Sequence, residues 1–466
     1  MQPSRWLLPS VSHWLWLLLL VMLLSPPWRT AMVASDGDAC MHWRVGEWML
    51  QHRQLIRTDE FSHTRFGQPV ISKEWLAEII FALPGSLFGI AVIGALLIAT
   101  TFALVHRQLV RAGNDLLVAT AIAILGVWAA SGHWLARPHA FSFLMMFLWN
   151  EALRRQRVWL LPVLTVLWVN LHGAFLAGFL VLGAYWGGAV LERRWDRVRA
   201  LSTTGGLCAV ASLFNPSGVM LHMHNLKFLR SEFLTGWLAE YSSANFHSAG
   251  ALGFLVWLAL IFFTLAVRRP RISAGDGLLL ISWTYFALYA GRNIPLLVIV
   301  SAPILAPAWS VPWGALSERL RRMNEASRGW PVALAAAAAF VVFAPHPTKM
   351  PATDWPVKAV EFVRQHPAEF AGNMFNQYSW GGYLLEVLPE HKTFVDGRTD
   401  FFGEELIREF ADTTALRPNW VAPLQKYRVQ WTLMPSDHRL NLALAASGAW
   451  TNLYSDEVAA VWRRLE

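Results

Sequence analysis

The stretch ASDGDACMH (Ala34 to His42) sets two carboxylates and an imidazole just beyond the first hydrophobic run of the chain. Asp36 and Asp38 are separated by one glycine. They can converge on a divalent cation such as Mg2+ or Mn2+, or one can take a proton from a reacting hydroxyl while the other orients it. His42 follows Asp38 by four residues and shares its face if a helix begins that early. A solvated loop with an N-capping aspartate has the same spacing, so the pattern alone does not choose. The same loop adds Asp59, His63, Arg65, Lys73, Glu74 and Glu78. Glu74 and Glu78 are four apart, where like charges repel unless a cation or donor lies between them.

Further ionisable residues sit at the ends of apolar runs. ARPHAFSF carries Arg137 and His139, WVNLHGAFLAGF carries His172, WLAEY carries Glu240, and GRNIP carries Arg292. Arginine forks suit phosphate oxygens. With His42, Glu74 and Glu78, these residues make up a candidate binding set for a substrate with an anionic head and an apolar tail. Near the C-terminus, VDGRTD alternates Asp396, Arg398 and Asp400 as a strand end presents them, either for acceptor recognition or as a structural turn. Scattered histidines, HMH included, do not form a zinc signature. No nucleotide loop, haem or flavin motif, or acyl-hydrolase elbow occurs.

The elements that must position these groups are membrane elements. Of 466 residues, 55% are hydrophobic and only 15% charged, a balance that excludes a large soluble enzyme. Apolar windows recur from Val11–Leu24 to Trp330–Ala344, predicting about eleven spans. Arginine clusters at 106–111, 154–157, 192–199, 268–271 and 317–328 fall on alternate ends of those windows. By the positive-inside rule they are cytoplasmic, and so is the N-terminus. The loop 25–85, the region 215–247 and everything after Pro345 are then external. A cleaved signal peptide is the alternative for the first window. The formal charge of +8 is accounted for by the loop arginines and calls for no nucleic acid, and two cysteines do not make a disulfide framework.

The expected architecture is a polytopic α-helical bundle, residues 1–345 including the loop 25–85, followed by a small external α/β domain, residues 346–466. Within the loop, 42–56 and 71–81 read as short helices. In the tail, 355–370 reads as a helix, 373–375 as the start of a strand, 391–403 as a strand delivering a polar turn, 427–435 as a strand and 456–465 as a helix.

SDGDACMHW, FSHTRFGQPVISKEWLAE, ARPHAFSF, WVNLHGAFLAGF, GRNIP and the tail segment NMFNQYSWGGYLLEVLPEHKTFVDGRTDFFG resemble the integral-membrane glycosyltransferases of the GT-C class. The likeness is to relatives of the protein O-mannosyltransferase and lipid A aminoarabinose transferase group, in their bacterial branches. It implies sugar transfer from a polyprenyl-phosphate carrier to a lipid, glycan or protein acceptor at the outer face of a bacterial inner membrane. It also implies a first-loop aspartate acting near the acceptor, a position that Asp38 matches best, with Asp36 as its neighbour. Two other classes stay open: a transporter or flippase for an amphipathic anionic lipid-linked substrate, and a non-catalytic envelope assembly protein. A transporter predicts ionisable residues near mid-span and broken helices, whereas the candidates here gather at span ends.

Overall fold

The computed structural model describes residues 6–35, 37–310, 314–346 and 349–465. The chain divides into two compact units that do not follow sequence order. One comprises Met1–Arg29, Val92–Gly218 and Leu238–Pro345; the other comprises Thr30–Ala91, Val219–Trp237 and His346–Glu466.

The first unit is helical and apolar. Five helices among the described residues are long and apolar enough to cross a membrane, or up to seven if two bent pairs each count as one span. The protein is thus a polytopic α-helical membrane protein. Other predicted windows also form helices, but shorter ones: His139–Arg154, Leu161–Leu171, Trp195–Ala211 and Ala274–Tyr289. A helix of 16 residues such as His139–Arg154 rises only about 24 Å, less than the roughly 30 Å hydrocarbon core. Local sequence also sets the helix ends. The Asp115 carboxylate accepts from the Leu117 and Val118 amides and starts Leu116–Ala130. Trp149, Trp168, Trp257 and Trp283 are fully buried and fill the spaces between helices, where large rings exclude voids.

The second unit joins the first loop to the tail. Helix Asp38–His52 packs on Trp75–Ala82 and on Gly381–Val387. Between them Met41, Val45, Met49, Ile56 and Phe61 form one core with Leu385. A second core, including Phe375, Phe394, Phe402, Phe410 and Leu440, also takes in Leu234. Beside it lies a four-stranded sheet of β1 (Asn373–Asn376), β2 (Val429–Pro435), β3 (Trp450–Ser455) and β4 (Ala459–Arg464) in the order β1-β2-β4-β3. The β1–β2 pair is parallel and the other two pairs are antiparallel.

Two predicted elements differ. The helix expected at 456–465 is strand β4, paired on both sides. Buried on two faces, its Ala459–Ala460–Val461 start reads as a continuous apolar run, which periodicity cannot tell from a helix. The strand expected over 391–403 does not form. Instead the Asn376 side chain accepts from the Phe394 amide at 2.8 Å and donates to the Val395 carbonyl at 2.9 Å. Those backbone groups are satisfied without a ladder. A helical turn begins at once at Thr399 and holds Asp400, and beyond a break at Gly403 the helix runs on to Thr414.

Candidate functional site

In the loop–tail unit, helix Asp38–His52 begins at Asp38 itself, so Asp38 and His42 share a face. The Asp38 carboxylate lies directly over Gly397 in the VDGRTD turn, where any Cβ would collide with it. His42 Nδ1 is 3.3 Å from Glu78 Oε1 and 4.0 Å from Glu74 Oε2. All three side chains are buried, and their ligand atoms lie within 4.8 Å of one another. A glycine makes this approach possible one turn after His42: a Cβ at Gly46 would strike the Glu78 backbone, so only glycine lets the two helices cross this closely. The cluster is a donor set capable of coordinating a divalent cation.

The electrostatics show how crowded this negative charge is. Burial by itself would lower the His42 pKa, but the Glu78 hydrogen bond and the charges of Glu74, Glu78 and Asp38 override it and raise it. Burial pushes Glu74 up, opposed by Lys73 and His42.

Behind the cluster, the Lys73 ammonium donates to Asp400 Oδ2 at 2.7 Å, and His224 Nε2 donates to the same oxygen at 2.6 Å. Burial would raise the Asp400 pKa; Lys73 and His224 outweigh it and hold the carboxylate far below its usual range. Arg398 is gripped on two sides. Its Nε and Nη2 donate to Asp396 at 2.8 and 2.6 Å, and its Nη1 donates to Asp59 at 2.7 Å. Both aspartates are fully buried. Phe61, Phe401 and Phe402 present their faces to the guanidinium. Asp396 and Arg398 thus engage each other and the first loop, and together they hold the turn on which Asp38 rests.

Glu386, on the helix Gly381–Val387 that backs this site, yields a pH prediction. Burial pushes its carboxyl up to about 7, aided by Glu47 and opposed by Arg44. Between the unfolded value near 4.5 and about 7, the folded state holds more protons than the unfolded state, so stability falls as pH rises through that window. Glu386→Gln is expected to stabilise the protein at pH 8 by on the order of 1 kcal/mol, allowing for solvent screening, and to change little at pH 4.5. Thermal unfolding at the two pH values checks this; an equal gain at both would refute it.

The membrane unit carries its own cluster. Arg292 Nη1 donates to Glu240 Oε1 at 2.7 Å, and Arg137 Nη1 stands 3.6 Å from Glu240 Oε2, so two guanidiniums share one carboxylate. Arg292 also lies over the Tyr241 ring. His139 is buried beside His133 and His172, at ring-centroid distances of 4.7 and 6.4 Å. The Ser142 hydroxyl lies 2.8 Å from His172 Nδ1 and accepts from the Trp168 indole at 2.7 Å.

The sequence-predicted residues thus fall into two groups: Asp38, His42, Glu74, Glu78, Asp396, Arg398 and Asp400 in the loop–tail unit, and Arg137, His139, His172, Glu240 and Arg292 in the membrane unit. Asp36 lies outside the described residues. Lys73, His224 and Asp59 were visible in the sequence only as loop residues. No spacing rule joins them to Asp400 or Arg398, from which they are separated by well over a hundred positions.

No protein-family model and no curated protein sequence matches the chain. Solved structures do. The chain is similar to the archaeal oligosaccharyltransferase AglB from Archaeoglobus fulgidus, solved with an inhibitory peptide and a dolichol-phosphate, with a TM-score of 0.59 and 13% identity over 98% of this chain and 74% of that one. It is similar to ArnT from Cupriavidus metallidurans bound to undecaprenyl phosphate, with a TM-score of 0.54 and 13% identity over 98% of this chain and 97% of that one. It is also similar to the mycobacterial arabinofuranosyltransferase AftD, with a TM-score of 0.53 and 14% identity, covering 98% of this chain but 40% of that one. The chain has the GT-C glycosyltransferase fold.

Proposed function

We propose that the chain is a glycosyltransferase that moves a sugar from a polyprenyl-phosphate carrier to an acceptor at the outer face of the membrane. The observation that carries this reading is the buried His42–Glu74–Glu78 set one turn from Asp38, in a chain whose fold is that of proteins solved with dolichol-phosphate and undecaprenyl phosphate. The proposed topology has about eleven passes, a cytoplasmic N-terminus and the segment 346–466 in the periplasm or outside the cell.

Asp38 takes the proton of an acceptor hydroxyl as its oxygen bonds to the anomeric carbon. The bond from that carbon to the phosphate oxygen breaks, and the phosphate leaves on its lipid. Arg137 and Arg292, held by Glu240 in the membrane unit, are assigned to binding an anionic group there. Asp396 and Arg398 keep the turn under Asp38 in place, and Asp400 ties that turn to Lys73 and His224.

One imidazole and two carboxylates, all buried, fit a divalent cation of mixed nitrogen and oxygen preference such as Mn2+. Bound there, the cation would supply positive charge to a phosphate leaving group. His42→Ala and Glu78→Gln are each expected to weaken Mn2+ binding to the full chain by at least about tenfold. Isothermal titration in detergent reads this directly; equal affinity in wild type and both variants would rule the cluster out as the site.

The reading as a whole is tested by incubating the purified chain with radiolabelled polyprenyl-phosphate sugars and membrane acceptors. Labelled acceptor and free polyprenyl phosphate are expected together. If the labelled donor instead crosses sealed vesicles with its sugar–phosphate bond intact, the chain is a transporter.

A further inference from the structure

Far along the helices of the membrane unit from any residue assigned above is a cavity of about 250 Å³, between Leu87–Arg111, His139–Arg154 and the segment that opens Leu161–Leu171. Arg107, Arg111, Arg155 and Arg157 line it, with Gln108 and Glu151. The charge is unbalanced: among the described residues only Arg155 pairs with Glu151, and no carboxylate pairs with Arg107, Arg111 or Arg157. Gln108 is buried, and its amide nitrogen donates to Glu151. Because a carboxylate can only accept, that bond fixes which way the amide points. Gln108 Oε1 is closed to solvent and has no hydrogen-bond partner.

The rest of the lining is apolar, with Phe147, Leu148 and Leu164 among it. Just outside, Trp159, Val163 and Leu167 are exposed. Val163 and Leu167 share one face of the helix Leu161–Leu171, and Trp159 lies in the turn that leads into it. The site therefore offers several uncompensated cations and an adjoining apolar track. An inorganic anion would use the arginines but not the apolar track. A zwitterionic lipid brings a cation of its own among the arginines.

We propose that this cavity binds an anionic phospholipid such as phosphatidylglycerol. The phosphodiester sits among Arg107, Arg111 and Arg157, and the acyl chains lie along Trp159, Val163 and Leu167. Basic pockets at the ends of membrane helices recognise anionic headgroups by this combination of charge and apolar contact. The site is distinct from the sugar-transfer centre and does not depend on that assignment.

The test is lipid binding to the purified full chain in a neutral detergent, read by native mass spectrometry and thermal shift. The probes are phosphatidylglycerol, phosphatidylcholine and inorganic phosphate. Phosphatidylglycerol is expected to bind and raise the melting temperature, phosphatidylcholine to bind at least about tenfold more weakly, and inorganic phosphate to give no shift. The double variant Arg107→Gln/Arg157→Gln is expected to lose about thirtyfold in phosphatidylglycerol affinity. Arg157→Gln alone, at an exposed position, is expected to lose about fivefold and serves if the double variant does not fold. Equal binding of phosphatidylcholine, unchanged affinity in the arginine variants, or a shift reproduced by inorganic phosphate would each overturn the proposal.

Discussion

Replacing Asp38 by asparagine is expected to lower sugar transfer from a polyprenyl-phosphate donor by about 10²- to 10⁴-fold, the usual contribution of a positioned general base. Asparagine keeps the shape of the side chain, so its packing over Gly397 is preserved while the basic oxygen is lost. Donor binding should change little, which confines the effect to kcat. Asp38 is only partly buried, more open than His42, Glu74 and Glu78. Steady-state assays with a labelled donor decide the matter: equal transfer by wild type and Asp38→Asn removes Asp38 from the mechanism. A loss traced to unfolding, seen as a lowered melting temperature, would make its role structural.

Arg398→Met is expected to destabilise the loop–tail unit by about 3–5 kcal/mol. The guanidinium makes three side-chain hydrogen bonds to two fully buried aspartates. Removing it leaves those carboxylates without their cation in a medium that penalises bare charge. This yields a sharper expectation: the triple variant Asp59→Asn, Asp396→Asn, Arg398→Met should be less destabilised than Arg398→Met alone, because it discards the stranded charges along with their partner. Denaturant unfolding and amide exchange over residues 393–402 measure both variants. If Arg398→Met matches wild type, the charged triad is not what fixes the VDGRTD turn. Transfer activity should fall with the turn, since Gly397 is the surface against which Asp38 rests.

Much of the local structure was legible in the sequence. Apolar windows became helices because every backbone polar group in hydrocarbon must be satisfied within its own segment, and only a helix does that locally. The four-residue spacing of Asp38 and His42 correctly predicted a shared face, because helical neighbours depend on nothing beyond the helix, whereas Glu74 lies just before the helix that carries Glu78. Where burial was two-sided, as in β4, the same reasoning failed, since the apolar run no longer records a period.

By itself, then, the sequence determined that the chain is a membrane protein of apolar helices, that its ionisable residues cluster at helix ends and in loops, and that its first loop and tail carry chemically capable groups. Tertiary structure decided which groups meet. It set Glu74 and Glu78 around His42 through a helix crossing that requires glycine at position 46. It brought Lys73 and His224 to Asp400, and Asp59 to Arg398, and it joined Thr30–Ala91, Val219–Trp237 and His346–Glu466 into one unit. Spacing encodes only which residues share a face. A buried ion pair between distant segments forms because each charge, once its neighbours pack, has no water left to hold it and must find its opposite.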